Sequence, residues 1–281
     1  MPSYREILQI NEQYAIDNQK ESTGIKILLL YFSQMSSTEL LLHMDDDMPE
    51  EQYQDFLYGV DRYVIRNIPV QHITGEEYFF GYTFEVNEDV LIPRFETEEL
   101  VANVLLIYDD VFGGQDVRVL DIGTGSGCLA ITLDLEEPHM SVTATDISDA
   151  ALAVAKRNNE KLGANVSFYQ GDLTLPVQDQ IFDIIVSNPP YIPENEYVED
   201  VVVDHEPSIA LFGGEDGLYF YRRIIQQVSS ITPDKFILAF EHAFNTAKAL
   251  RKLIQDHFPD ATIVQKKDMQ GKDRMTFVIK E

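Results

Sequence analysis

The sequence has a single cysteine, no tryptophan and few basic residues. Because Cys128 stands alone, no disulfide can form within the chain. The six histidines are scattered without the spacing of metal ligands, so we expect no metal site. The longest apolar runs, such as residues 27–32, are far shorter than the roughly 20 residues that a membrane-spanning helix needs.

Basic residues are outnumbered by acidic ones, 21 to 48, which leaves a net charge of −27 at pH 7. Such a surface repels phosphate backbones, so we expect no direct nucleic-acid partner. The N-terminus lacks a basic stretch followed by an apolar core, which favours a cytoplasmic protein over a secreted one. With 281 residues, 44% of them hydrophobic, the chain can form about two domains with a buried core and a ligand cleft.

The residue pattern changes twice along the chain. Residues 1–70 have apolar residues at helical spacing, and Ser36 and Glu39 have the spacing of a capping box, so this part is predicted to be a small helical domain. Residues 71–93 are rich in aromatic and β-branched residues punctuated by glycine, which indicates a β-hairpin linker. Residues 94–281 alternate helical and strand-like segments, which is typical of a doubly wound α/β sheet.

Seven strands are predicted in this last part of the chain. They span residues 117–122, 141–146, 166–170, 182–188, 235–241, 261–267 and 274–280. The turn between the last two strands is too short for a crossover helix, so these two strands should pair antiparallel. The prediction is a sheet with one reversed strand.

The first predicted strand of this sheet runs into a glycine-rich loop that precedes a helical segment. The loop consists of Gly123, Thr124, Gly125, Ser126 and Gly127. Glycines there let the backbone turn tightly and approach a ligand closely. A dinucleotide fingerprint would need glycine at the position of Cys128, so the pattern does not favour a nicotinamide cofactor. We interpret Cys128 as a packed helix residue.

Acidic residues follow the next two predicted strands. Asp146 is placed to accept hydrogen bonds from both ribose hydroxyls of a nucleoside. Asp172 is interpreted as an acceptor for an adenine amino group, with Leu173 packed on the ring; a turn-capping role for Asp172 stays open. The loop and these residues together predict a nucleoside-containing cofactor.

A polar tetrapeptide, Asn188, Pro189, Pro190 and Tyr191, follows the hydrophobic residues 182–187. Neither proline has an N–H, and Pro190 restricts Pro189 to extended geometry, so the turn presents acceptors in a preset direction. An NH₂ group supplies two donors, one for the Asn188 side-chain oxygen and one for the Pro189 carbonyl. The pattern predicts alkylation of an amide-type nitrogen through positioning, with Tyr191 packed against the bound group.

The glycine loop and the tetrapeptide, with residues 69–75, 90–98 and 205–218, closely resemble the PrmC/HemK family of peptide chain release factor N5-glutamine methyltransferases. The resemblance implies S-adenosyl-L-methionine as cofactor and methylation of the glutamine in the Gly-Gly-Gln motif of release factors. It also implies a seven-stranded Rossmann-like methyltransferase domain at 94–281, a substrate-recognition domain at 1–70 and a β-hairpin linker at 71–93.

Carried over by position, the resemblance assigns a role to each matching residue. Gly123 to Gly127 would line the methionine and ribose, Asp146 would bind the ribose, and Asp172 and Leu173 would lie at the adenine. Asn188 would contact both cofactor and substrate, and the whole tetrapeptide would hold the glutamine amide. Arg94 and Thr97 would help to close the site, and Glu206 would order the loop after the tetrapeptide.

Two residues depart from the family pattern. Phe95 replaces the usual proline of an Arg-Pro-Glu-Thr segment, so this loop is expected to be less rigid. Ala243 follows Glu241 and His242 where the family has Glu-x-Gly, which affects a turn at a strand end. We expect the chemistry to survive both departures.

Three other functions are compatible with parts of this pattern. A DNA adenine-N6 methyltransferase would also bind an amino group, but it needs a basic groove that a net charge of −27 does not favour. A ribosomal-protein glutamine methyltransferase would differ mainly in the N-terminal domain and the loops. A nucleoside-binding regulatory module would not need the intact tetrapeptide.

Overall fold

The computed structural model describes residues Met1–Glu281 and divides into two compact units. The first unit comprises Met1–Glu76 and Glu199–His205, and the second comprises Glu77–Val198 and Glu206–Glu281. No helix in either unit combines the length and apolar character needed to cross a membrane. The assignment of residues 1–70 to substrate recognition stays a prediction.

The first unit is built from helices. Its helices, numbered along the whole chain, are α1 (Tyr4–Asp17), α2 (Thr23–Ser33), α3 (Ser37–Leu42), α4 (Glu50–Val64), α5 (Val70–Thr74) and α9 (Asp200–His205). The predicted capping box is confirmed: Ser36 Oγ accepts from the Glu39 N–H at 3.2 Å, and the Glu39 carboxylate accepts from the Ser36 N–H at 2.8 Å. Fully buried residues such as Leu28 and Phe56 form the core between the helices.

The hairpin begins later than the sequence pattern indicates. Residues 70–74 form α5 after Pro69, whose fixed φ suits the position before a helix. The hairpin strands are β1 (Glu76–Phe79) and β2 (Tyr82–Glu85). Phe80 and Gly81 join them with φ values of 50° and 90°, because a two-residue turn that matches strand twist needs positive φ at both positions.

The second unit contains the predicted seven-stranded sheet. Its strands are β3 (Val117–Ile122), β4 (Met140–Asp146), β5 (Ser167–Gln170), β6 (Ile184–Ser187), β7 (Phe236–Glu241), β8 (Thr262–Lys267) and β9 (Asp273–Lys280). The order is β5-β4-β3-β6-β7-β9-β8, and only β9 runs antiparallel to its neighbours. The predicted fold class is therefore confirmed.

Helices cover both faces of the sheet. They are α6 (Phe95–Phe112), α7 (Cys128–Glu136), α8 (Asp149–Leu162), α10 (Tyr219–Val228) and α11 (Ala247–His257). Alternate residues of β7 enter two separate cores: Ile237 and Ala239 pack with α6 and α7, and Leu238 and Phe240 pack with α10 and α11. This burial on both faces explains why β7 is a continuous apolar run.

Strand register brings the carboxyl ends of five parallel strands to one edge of the sheet. Ile122 of β3 pairs with Thr145 of β4, and Ser187 of β6 pairs with Phe240 of β7. The Ser187 hydroxyl also donates to the Ile122 carbonyl at 2.7 Å, which joins the ends of β3 and β6. The glycine loop and the tetrapeptide therefore begin side by side.

Asn158 of α8 connects this edge to the hairpin. Its side chain is fully buried and donates to the carbonyls of Ser126 at 2.9 Å and Glu85 at 3.0 Å. Its oxygen accepts from the Glu85 N–H at 2.6 Å. One amide thus fixes both the end of the glycine loop and the end of β2.

We expect Asn158→Ala to lower the free energy of unfolding by about 2–4 kcal/mol, because it leaves buried backbone groups without partners. Chemical denaturation monitored by circular dichroism measures this. Asn165→Ala is the control, because Asn165 is exposed and should change stability by less than about 0.5 kcal/mol. Equal midpoints for the two variants would contradict the assignment.

Candidate functional site

A cavity of about 330 Å³ lies at the carboxyl edge of the sheet. This volume is within the range of small-molecule sites. Twelve of the residues that the sequence predicts for the site form part of its wall: Arg94, Thr97, Gly123, Thr124, Gly125, Ser126, Asp146, Asp172, Leu173, Asn188, Pro189 and Pro190. Gly127 and Tyr191 lie outside the wall.

The glycine loop leaves open space beside the cavity. Gly123 and Gly125 have φ values of 77° and 56°, and a Cβ built on either would meet no atom within 4 Å. Gly127 differs, since a Cβ there would lie 2.8 Å from Ile131 Cδ1 and 3.2 Å from Ala155 Cβ. Gly127 therefore allows close packing of α7 and α8, and its predicted place along the cofactor stays a prediction.

Asp146 is held at the cavity by backbone donors. One carboxylate oxygen accepts from the Gly125 N–H and the other from the Ser148 N–H, both at 2.9 Å. Burial raises the pKa of Asp146, and these N–H donors oppose the shift. Because each oxygen has a further lone pair, the carboxylate can still accept from a diol.

Asp172 and Leu173, the two residues predicted to lie at the adenine, follow β5 and line the cavity. The Asp172 carboxylate forms an ion pair with Arg223 of α10, so one of its oxygens is already engaged. Arg223 also lies over the Tyr219 ring, 5.4 Å from its centroid. Leu173 has a φ of 54°, a left-handed conformation that leucine rarely adopts and that is often found at functional sites.

A second carboxylate lies beneath the glycine loop. Asp121 is fully buried, and one of its oxygens accepts from Thr124 Oγ1 at 2.6 Å, whereas the other has no partner. Burial raises the pKa of Asp121 to about 7, and the charge of Asp146 adds to the shift. This residue holds Thr124 in place, a role that the sequence pattern does not predict.

Cys128 follows the loop at the start of α7. Burial raises the pKa of its thiol to about 12. A thiol that stays protonated at neutral pH is a poor nucleophile. This agrees with the interpretation of Cys128 as a packed helix residue.

A chain of side-chain hydrogen bonds runs behind the tetrapeptide. Asn188 Nδ2 donates to Thr97 Oγ1 at 3.2 Å, and Thr97 Oγ1 donates to Glu241 Oε2 at 2.7 Å. No group in the chain donates to the Pro189 carbonyl. The tetrapeptide thus offers two oxygens, Asn188 Oδ1 and the Pro189 carbonyl, that have no internal donor.

Tyr191 packs against the apolar core that the sheet forms with α10 and α11. Its hydroxyl lies 3.5 Å from Glu241 Oε1, and burial raises the pKa of this tyrosine. Tyr191 therefore supports the turn from behind, and its predicted packing against a bound group stays a prediction.

The backbone after the tetrapeptide is braced by residues 211–217. The Ile192 N–H donates to the Leu211 carbonyl at 3.0 Å, and the Gly213 N–H donates to the Ile192 carbonyl at 2.8 Å. A Cβ on Gly213 would lie 2.5 Å from the Pro190 oxygen, and one on Gly217 would lie 2.3 Å from the Tyr191 oxygen. Only glycine permits this approach of backbone to backbone.

Arg94 and Glu206 form a pair that joins two loops. Glu206 is only 5% exposed, and its carboxylate accepts from the Arg94 guanidinium and, at 3.0 Å, from the Ile92 N–H. Phe95, the departure from the family pattern, begins α6 and is exposed. The loop before α6 is therefore held by Glu206 despite the missing proline.

Glu241 and Arg223 have roles that the sequence pattern did not predict. Glu241 ends an apolar strand, as Asn188 does after β6, so the rule that selected Asn188 could also have selected it. Arg223 lies in the middle of an amphipathic helix, and nothing in its local sequence indicates that Asp172 is near.

Comparison with solved structures identifies the fold. A methyltransferase from Pyrococcus furiosus matches with a TM-score of 0.53 and 17% identity over 83% of this chain and 98% of its own. The hMettl16 catalytic domain, solved with the MAT2A 3'UTR hairpin 1, matches with a TM-score of 0.58 and 17% identity over 89% of this chain and 87% of its own. The chain thus shares its fold with these solved methyltransferases.

Comparison of sequences defines the family. The methyltransferase small domain matches residues 102–205, and the PrmC N-terminal domain matches residues 10–75. The release factor glutamine methyltransferase of Bacillus subtilis (strain 168) is 42% identical over 279 residues, which cover 98% of this chain and 96% of that protein. The Bacillus cereus protein of the same name is 41% identical over 97% of both chains. The chain belongs to the release factor glutamine methyltransferase family.

The buried Asp121 predicts a pH-dependent difference in stability. Folding raises the pKa of Asp121 from 3.8 to about 7. At pH values between these two, the folded chain therefore keeps a proton on Asp121 that the unfolded chain has lost. Its contribution to the free energy of unfolding therefore falls as the pH rises from about 4 to 7. Asparagine does not titrate. Relative to wild type, the free energy of unfolding of Asp121→Asn should rise by roughly 2–3 kcal/mol between pH 5 and pH 8.

Urea denaturation of both proteins at the two pH values measures this difference. Asp110→Asn, which removes an exposed carboxylate, is the control and should show little change. A constant stability difference between wild type and Asp121→Asn would show that Asp121 does not titrate in this range.

Proposed function

We propose that this protein transfers a methyl group from S-adenosyl-L-methionine to the side-chain amide nitrogen of the glutamine in the Gly-Gly-Gln motif of peptide chain release factors. The observation that carries the proposal is the pair of undonated oxygens, Asn188 Oδ1 and the Pro189 carbonyl, beside the glycine loop. Family membership over nearly the whole chain supports release factors as substrates.

The residues around the cavity fit S-adenosyl-L-methionine. Gly123 and Gly125 leave room for a ligand along the backbone, and Asp146 has lone pairs for the two ribose hydroxyls. Leu173 and Ile147 provide apolar wall for the adenine. When bound, the cofactor supplies a methyl group on a sulfonium, which is an already activated electrophile.

Asn188 and Pro189 would hold the glutamine carboxamide. Its two N–H hydrogens would be donated to Asn188 Oδ1 and to the Pro189 carbonyl, which directs the nitrogen lone pair to the methyl carbon. In the transfer, the nitrogen would gain the methyl group and lose one proton to water, and the electron pair of the broken sulfur–carbon bond would stay on the sulfur of the cofactor. No protein nucleophile takes part.

The remaining predicted residues support this arrangement. Arg94 would help to close the site through its pair with Glu206, Thr97 would act behind Asn188, and Tyr191 would keep the turn rigid. We also propose that residues 1–70 contact the release factor, and that the reaction takes place in the cytoplasm, where release factors act.

A labelling assay tests the function directly. With methyl-labelled S-adenosyl-L-methionine, the purified protein should label a release factor and should not label the same factor with glutamine of the Gly-Gly-Gln motif replaced by alanine. Ribosomal proteins and DNA serve as alternative acceptors. Label in either of them, with none in the release factor, would overturn the proposal in favour of the corresponding rival.

Asp146→Ala should weaken cofactor binding without unfolding the protein. A hydrogen bond to a charged group contributes about 1.5–3 kcal/mol, so the Kd should rise on the order of tenfold to a hundredfold. Isothermal titration calorimetry measures the Kd. Asp149→Ala removes an exposed carboxylate three residues away and should keep the wild-type affinity. The same Kd for both variants would count against the ribose assignment.

A further inference from the structure

Asn188 is in contact with a buried carboxylate through one hydroxyl. Thr97 lies on the first turn of α6 and is 3% exposed, and Glu241 ends β7 and is 1% exposed. Thr97 Oγ1 is 3.2 Å from Asn188 Nδ2 and 2.7 Å from Glu241 Oε2. The Tyr221 hydroxyl donates to the Glu241 carbonyl at 2.6 Å, which fixes the end of the strand.

The direction of these hydrogen bonds follows from the chemistry of the groups. An ionised carboxylate can only accept, so the single Thr97 proton must go to Glu241. The Thr97 oxygen then has only lone pairs for Asn188, and it can pair with the amide NH₂ but not with the amide oxygen. Asn188 is thereby held with Nδ2 toward Thr97 and Oδ1 away from it.

We propose that Glu241, acting through Thr97, is a positioning residue that sets which end of the Asn188 amide faces the substrate. The proposal rests on the proposed function, since the amide orientation matters only if Asn188 Oδ1 accepts from a substrate NH₂ group. With the amide reversed, Asn188 would present a second NH₂ to the NH₂ of the substrate, and neither group could accept.

A protonated Glu241 would no longer fix the orientation of the Asn188 amide. A protonated carboxyl can donate to Thr97, which frees the threonine proton for Asn188 Oδ1 and permits the reversed amide. Burial raises the pKa of Glu241 to about 7; the Thr97 hydrogen bond and Arg274 oppose the shift, and Glu96 adds to it. The rate of methyl transfer should therefore fall as the pH drops through about 7.

The groups around Glu241 come from all of the elements packed against it. They are Glu96 of α6, Cys128 of α7, Tyr191 of the tetrapeptide, Tyr221 of α10 and Arg274 of β9. Burial raises the pKa of Cys128, Tyr191 and Tyr221, so these three stay neutral near pH 7. Burial also lowers the pKa of the adjacent His242, which leaves it uncharged there.

Thr97→Val tests the relay because it keeps the shape of the side chain and removes the hydroxyl. Misplaced reacting groups reduce rates on the order of tenfold to a hundredfold, and we expect kcat for release-factor methylation to fall by about this factor. The Kd for S-adenosyl-L-methionine should stay unchanged. Thr97→Ser restores the hydroxyl and should recover most of the rate.

Thr132→Val is the matched control, since it makes the same change at a fully buried threonine of α7 whose hydroxyl has no partner. It should keep the wild-type kcat. Glu241→Gln is the second test of the relay, because it is isosteric, removes the charge and replaces one acceptor oxygen with an NH₂ that, like a protonated carboxyl, can donate to Thr97. It should lower kcat and abolish the rate change near pH 7 that wild type and Thr97→Ser show.

A double-mutant cycle separates positioning from a general loss of structure. In an Asn188→Ala background there is no amide to orient, so Thr97→Val should cause no further loss of the residual rate. Circular dichroism and cofactor affinity confirm that each variant is folded.

The proposal is overturned if Thr97→Val and Glu241→Gln keep the wild-type kcat and pH profile, or if the Thr97→Val loss is fully retained beside Asn188→Ala. A wild-type protein that does not label the release factor glutamine refutes the proposed function instead. The two failures are therefore distinguishable.

Discussion

Parallel pairing of five neighbouring strands is the constraint on which the site depends. The carboxyl ends of β5, β4, β3, β6 and β7 meet at one edge, although their residues are far apart in the sequence. A slip of one residue in β3 or β6 would turn every side chain to the opposite face. Such a slip would separate the glycine loop from the tetrapeptide. Two sets of hydrogen bonds lie at this place: the bond from the Ser187 hydroxyl to the Ile122 carbonyl, and the three bonds of Asn158.

Burial of charge is the second feature of this edge. Asp121 and Glu241 are both carboxylates in almost dry surroundings, and each accepts from a threonine hydroxyl. Their pKa values near 7 result mainly from lost hydration, since a buried carboxylate is costly unless it is hydrogen-bonded. Thr124 and Thr97 therefore have fixed directions, and the loop and the helix that carry them are oriented by acids lying behind the cavity wall.

The sequence was most informative where local pattern and position in the sheet coincide. Asp146 and Asn188 follow apolar strands, so the carboxyl-edge rule predicts that they meet, and the structure brings both to one cavity. Strand ends deviate from the predicted ones by only one or two residues. Glu241 follows the same rule, but its partner Thr97 is 144 positions away and only tertiary packing brings the two together.

Other features have no local signal at all. The Asp172–Arg223 pair depends on which face of α10 turns to the sheet, and the position of Gly127 below the wall depends on how closely α7 and α8 approach. The short helices α5 and α9 lie in segments whose composition favours a hairpin or a loop. Propensity is a weak guide for elements this short, because their stability comes from the surroundings.

The close contact between Gly213 and the Pro190 carbonyl has a mechanical consequence. With no side chain between the two backbones, they lie in direct contact, and neither segment can move toward the other. Residues 211–217 and the proline turn therefore behave as a single stiff body. An adjustment to an incoming peptide would then fall on the segments flanking this body, and the backbone of the proline turn would keep its place.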